Sequence, residues 1–240
     1  EIKRDLNKSA LALLLYVLSV QILAVLLVLL LPLTKIPLLS DQYICMVISV
    51  IISYCLLDNI FPKETVTEPS PEKPSFSVLS FLHYFMLFQA AQWIGGIINI
   101  PIMTLFTKLG LNLSFSEEAA RGGSLTNAPM LFYTILVAPL MEELVFRGIF
   151  YRRFRSYGKY FAAFYTAFFF ALMHSNFLQF APAFSMGMIL FFIRDRHGLP
   201  YSILLHFSNN LLAIVVNNLS QDSTLIQGIY GGFLLAGMFY

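Results

Sequence analysis

"SALALLLYVLSVQILAVLLVLLL", Ser9–Leu31, contains no charged residue from end to end. A run of roughly 18 or more apolar residues is long enough to cross the hydrocarbon core of a bilayer as a helix. Lys3, Arg4 and Lys8 precede it and Pro32 follows it, so the run is bounded on both sides. The chain around it has the same character: of its 240 residues 58% are hydrophobic and only 12% charged, with a mean hydropathy of +0.74. Soluble domains carry about 25% charged residues, twice this fraction. The expected fold class is an all-α membrane protein, a polytopic bundle of transmembrane helices.

Further spans are expected over Gln42–Phe61, Val78–Ile100, Pro129–Phe150, Lys159–Met173, a short stretch at Ala183–Ile193, Tyr201–Leu219 and Leu225–Phe239, about eight in all. Residues 62–77, "PKETVTEPSPEKPSFS", read as a loop rich in proline and charge. Residues 101–128 read as an extramembrane segment with an interfacial amphipathic piece. Basic residues gather in short segments on one side: Lys3, Arg4 and Lys8, then Arg152, Arg153, Arg155 and Lys159, then Arg194 and Arg196. Such a bias marks the cytoplasmic side, so both termini are expected there, and the compact chain, with little beyond its spans, favours a bacterial plasma membrane. The first apolar run is too long for a cleavable signal, and no small-residue cleavage pattern follows it. No internal repeat appears, and residues 1–240 read as one integral membrane domain. A net charge of +2 with no basic block interleaved with aromatics excludes a nucleic-acid partner. Cys45 and Cys55 lie ten residues apart, about 15 Å along a helix. That is too far for a disulfide, and both are expected as buried packing residues.

Ionisable groups inside a bilayer cost several kcal/mol unless paired or hydrated, which makes them functional candidates. "APLMEELVFRGIFYRRFR", Ala138–Arg155, places Glu142, Glu143 and Arg147 in the fourth span. His174 ends the fifth, and His206 and Asn210 lie in the seventh. Counted from the basic ends at 1.5 Å per residue, Glu142 and Asn210 lie about 15 Å deep and His174 about 22 Å. Three helices therefore bring polar groups to similar depth. Glu143 and Arg147 are four residues apart and suit an ion pair along the helix. Glu142 points about 100° away and stays available to a cavity. His206 and Asn210 share a face and can both donate hydrogen bonds. Glu142 with His174 can polarise a water, and His206 with Asn210 can stabilise an oxyanion. Such a set suits a water-activating peptidase.

At these residues the sequence resembles the CAAX protease and bacteriocin-processing family of intramembrane proteases, also called the Abi family. Its motifs stand here as "EELVFR" (Glu142–Arg147), "FALMH" (Phe170–His174) and "HFSNN" (His206–Asn210). The approach "GMILFFIRDRHGLPYSILLH" is similar too, and the resemblance covers roughly residues 129–215. It implies an eight-span helical bundle with a polar cavity open toward the cytoplasm. It also implies glutamate-dependent peptide hydrolysis with no metal cofactor. Glu142 and His174 would be the water-activating pair and His206 and Asn210 the oxyanion site, with Glu143, Arg147 and Phe170 in support. The implied substrate is a membrane-associated peptide, in pheromone, bacteriocin or leader-peptide processing or in immunity to such peptides.

Two other readings compete. Glu142, His174 and His206 could ligate zinc, although their spacing does not follow the H-E-x-x-H pattern. Alternatively the chain is a non-catalytic module that binds a sensor kinase, a transporter or another partner membrane protein. Asn209 competes with Asn210 for the oxyanion role. Gln89, Gln92 and Trp93 either line the cavity or bond between helices.

Overall fold

In the computed structural model, the described residues are 2–61, 76–114, 116, 126–220, 223, 225, 228 and 230–232. They form α1 (Ile2–Leu30), α2 (Gln42–Ile60), α3 (Val78–Lys108), α4 (Ala128–Arg155), α5 (Lys159–Met173), α6 (Phe177–His197) and α7 (Leu199–Ser220). All but α5 are long and apolar enough to cross a membrane, and no strand occurs among the described residues. The protein is an all-α, multi-pass membrane protein. Ten of the fifteen residues of the expected eighth span, 225–239, lie outside the described residues, as does most of the 62–77 loop.

Short polar side chains mark where helices begin, because the first backbone N–H groups of a helix have no partner within it. Asp41 Oδ1 accepts from the backbone N–H of Tyr43 (2.8 Å), Ser77 Oγ from that of Ser80 (3.1 Å), Asn127 Oδ1 from that of Met130 (2.9 Å) and Asn176 Oδ1 from that of Leu178 (3.0 Å). Several helices run beyond the expected spans. α1 starts at Ile2, so its basic residues lie on the helix itself. α3 continues through Pro101 to Lys108, taking residues 101–108 out of the expected extramembrane segment. α4 extends to Arg155, so Arg152, Arg153 and Arg155 are helical rather than in a loop.

The sixth span departs most from expectation. Instead of a short helix near Ala183–Ile193, α6 covers 21 residues from Phe177. Pro182 lies inside it, and proline leaves the carbonyl four residues earlier without its helical donor. That carbonyl belongs to Leu178, and it accepts instead from the buried Asn99 Nδ2 of α3. α3 pays the hydrogen bond that the proline omits. The same crossing is close: a Cβ on Gly95 would stand 2.5 Å from Pro182 Cα and N. Gly95→Ala is therefore expected to push α3 from α6 and to destabilise the bundle by roughly 1–3 kcal/mol. Unfolding in detergent measures this, and an unchanged midpoint would mean that the crossing carries little of the packing.

Ion pairs join the helices at their basic end. Arg153 and Tyr157 both contact Asp5 at the start of α1, with Tyr157 Oη donating at 2.6 Å. Asp195 of α6 accepts from Tyr151 Oη and Arg155 Nε, each at 2.8 Å, and Lys159 lies 3.4 Å from it. Arg152 approaches Asp58 of α2 at 3.6 Å. These contacts bring the start of α1, the ends of α2, α4 and α6, and the start of α5 to one level. The expected clustering of basic residues on one side is thus realised in space. Both cysteines are free; Cys45 is buried as expected, whereas Cys55 points outward from the bundle.

Candidate active site

The glutamate-bearing helix is irregular where it matters. α4 is π-helical over Phe132–Val137 and again over Leu144–Phe150, with a short α-helical piece, Ala138–Glu143, between them. Pro139, which lacks an N–H, begins that middle piece. π-turns inside helices are found mostly at functional positions, and here they flank the two carboxylates.

Glu143 and Arg147 are both fully buried, with Glu143 Oε1 3.1 Å from Arg147 Nη1. Arg147 Nη2 also donates to the Gly187 carbonyl of α6 at 2.9 Å. Its guanidinium lies 4.6 Å from the centre of the Phe170 ring. Gly187 makes this approach possible: a Cβ there would meet Ala167 Cα and Cβ at 3.0 Å and Phe170 Cδ1 at 3.2 Å. Phe170, itself fully buried, sits edge-on to the imidazoles of His174 and His206, at 4.9 Å and 5.7 Å between centroids. The phenylalanine expected as a supporting residue thus spaces the two histidines and stacks under the arginine.

His206 joins the pieces. Its Nδ1 is 3.1 Å from Glu143 Oε1, and its Nε2 is 3.5 Å from Glu142 Oε2. Sequence spacing separated the two acids, and α7 bridges them through one imidazole. Glu142 keeps 19% of its side chain accessible, against 0% for Glu143. That difference decides which acid faces open space.

The open space is a cavity of about 390 Å³. Glu142 and His174 share its wall, together with Met141 and Met173. His174 follows the end of α5, and its Nδ1 is 2.9 Å from the Phe170 carbonyl. A carbonyl only accepts, so Nδ1 carries a proton there, and Nε2 is the ring nitrogen left free of that contact. The far walls come from α1, with Tyr16, Val20 and Val25, and from α2, with Met46 and Val50. Tyr133, in the first π-turn of α4, completes them. His206 and Asn210 are not part of this wall. Asn210 Nδ2 donates instead to the Thr134 carbonyl of α4 at 3.0 Å.

The two asparagines diverge. Buried Asn209 accepts from Gln89 Nε2 at 3.1 Å and from Gln92 Nε2 at 2.5 Å, both on α3. The α3 glutamines therefore bond between helices and do not line the cavity. Asn210 is the asparagine turned toward the glutamate-bearing helix. Among the described residues no three His, Cys, Asp or Glu side chains come together as a metal-ligand group.

The motif reading passed over the cavity residues of α1 and α2, which belong to none of the three motifs. A signal was nonetheless present. Asp5, Ser9, Tyr16 and Val20 fall at helical spacing on one face of α1, and all four are buried. In a membrane helix a polar stripe marks the face turned to protein.

Residues 124–212 match the model of a family described as type II CAAX prenyl endopeptidase Rce1-like. Among curated proteins, the chain is 23% identical over 197 residues to a Bacillus subtilis (strain 168) protein described as "Putative membrane peptidase YdiL". That alignment covers 78% of each chain. No solved structure matches.

Proposed function

We propose, from the Rce1-like segment at residues 124–212, that the chain is a membrane protease of the CAAX type and that it hydrolyses a membrane-associated peptide with a water activated by Glu142 and His174. One observation carries the reading: these two groups, from different helices, share the wall of one cavity.

Water held between them donates one O–H to the Nε2 lone pair of His174, whose Nδ1–H is held by the Phe170 carbonyl. Its other proton passes to the Glu142 carboxylate as the oxygen bonds to the scissile carbon. The carbonyl π pair moves onto oxygen, and N–H groups of His206 and Asn210 stabilise that oxyanion. Collapse breaks the C–N bond, and the departing amine takes the proton from Glu142. One water is consumed, leaving an acid and an amine. In this reading the oxyanion donor of His206 is its Nε2–H, beside Glu142, with Nδ1 held beside Glu143. For the oxyanion, His206 turns this N–H from Glu142, and Asn210 offers the amide N–H not engaged by Thr134.

In this reading the basic end faces the cytoplasm of a bacterial plasma membrane, and the substrate is a peptide pheromone, bacteriocin or leader peptide. Membrane peptides that accumulate in a Glu142→Gln strain identify the substrate. Cleavage of those peptides by purified protein should fall about 10²-fold or more with His174→Ala and should be unaffected by EDTA or 1,10-phenanthroline. Loss on chelation with recovery on adding zinc would favour the metal alternative. A phenotype indifferent to His174→Ala would favour a non-catalytic module.

A further inference from the structure

We propose that Tyr16 of α1 and Tyr133 of α4 donate their phenolic hydrogens to the scissile carbonyl of the substrate, supplying the cavity side of the oxyanion site. The inference rests on the peptidase reading and adds two residues outside the family motifs.

The donors assigned so far are engaged elsewhere. Both nitrogens of His206 face carboxylates, and the Asn210 amide bonds to Thr134. Neither residue belongs to the cavity wall. The tyrosines show the reverse arrangement. Tyr16 is 95% enclosed, being 5% exposed, and it lines the cavity that holds Glu142 and His174. Tyr133 lines the same cavity, from α4. Neither phenol has a hydrogen-bond partner among the described residues. A tyrosine hydroxyl that deep ordinarily finds a partner. Two unpartnered phenols, on facing helices and in one cavity with the proposed base, are matched to a ligand that brings its own acceptor.

A peptide carbonyl fits that description. A phenol is neutral at physiological pH, so it brings no charge that would neutralise Glu142. Its hydrogen bond strengthens as the carbonyl becomes an oxyanion, which is the condition for accelerating the step rather than merely binding substrate. The remaining wall is mostly apolar, with Val20, Val25, Met46 and Val50, and Gln21 of α1 adds one further polar side chain to it. It accepts uncharged side chains beside the scissile bond, and the methionines adapt to their shape.

α1 holds Tyr16 in place from the opposite end. Asp5, clamped by Arg153 and Tyr157, lies on the same buried stripe, and Ser19 Oγ donates to the Tyr16 carbonyl at 2.8 Å. The first helix is thereby part of the site and not only a membrane anchor.

The test compares membrane-peptide profiles, by mass spectrometry, of strains carrying wild type, Glu142→Gln, Tyr16→Phe, Tyr133→Phe and the Tyr16→Phe/Tyr133→Phe pair. Phenylalanine keeps the ring and its packing, so the melting midpoint of each purified variant should match wild type. The paired variant is expected to accumulate the peptides that accumulate in Glu142→Gln. With one of those peptides made as a quenched-fluorescent substrate in proteoliposomes, kcat should fall roughly 10- to 100-fold for the pair while KM moves less than about twofold. A paired variant with the wild-type profile and kcat, beside a Glu142→Gln strain that accumulates peptides, overturns the role of the tyrosines alone. A rise in KM with kcat unchanged also overturns it, because the phenols would then bind ground state only. A Glu142→Gln profile identical to wild type overturns the peptidase reading, and this inference with it.

Discussion

Glu142→Gln should lower peptide cleavage on the order of 10³-fold or more while leaving the bundle folded, since general-base catalysis contributes about 10²–10⁴-fold. Glutamine keeps the size of the side chain and can still meet His206, but it cannot take a proton from water. The stability cost should be small, because Glu142 is partly open to the cavity and its nearest ionisable neighbour, His206, stands at 3.5 Å. Glu143→Gln serves as the contrast: it removes the buried partner of Arg147 and His206 at once. Cleavage rates of the two variants, set beside their unfolding midpoints, separate the roles. Equal losses of activity and stability in both would mean that the acids act as one structural unit, and Glu142 would not be the base.

The largest expected loss of stability comes from Arg147→Leu. Arg147 is buried completely and holds Glu143, the Gly187 carbonyl of α6 and the face of Phe170. Removing it leaves Glu143 buried with the His206 imidazole as its remaining side-chain partner, and breaking a buried pair by deleting one member costs about 3–5 kcal/mol. Replacing both members, as in Glu143→Gln with Arg147→Met, should recover much of that loss, because an uncompensated charge is no longer buried. Chemical unfolding in detergent, arranged as a double-mutant cycle, measures the coupling. A loss under about 1 kcal/mol for Arg147→Leu would show that water or lipid headgroups reach Glu143 and that its burial is not dry.

The residues of the three motifs stood out in the sequence for a reason that is local. Charged and polar side chains in apolar runs are rare, and Glu143 and Arg147 at a spacing of four can pair along one helix without help from the fold. What spacing could not assign was direction. His206 and Asn210 share a face of α7, yet one meets the two glutamates and the other meets the Thr134 carbonyl. The π-turns around Glu142 and Glu143 change the angular step that a regular helix would impose. Asn209 and Asn210 are neighbours in sequence, and only the glutamines of α3 show which one is taken up in interhelical bonding.

The sequence by itself determined that this is a helical membrane protein, which end of the bundle is basic, and which few polar groups lie at depth. Those properties follow from hydropathy and helical rise, and neither depends on neighbours. Only the tertiary structure decided that α6 runs unbroken past Pro182, because the donor to Leu178 comes from Asn99, on another helix and far away in the chain. Only the tertiary structure walled the Glu142–His174 cavity with α1 and α2, because apolar residues such as Val20 and Met46 carry no chemical signature until something packs, or fails to pack, against them. A motif is written in one segment, whereas a cavity is the space that several segments leave between them.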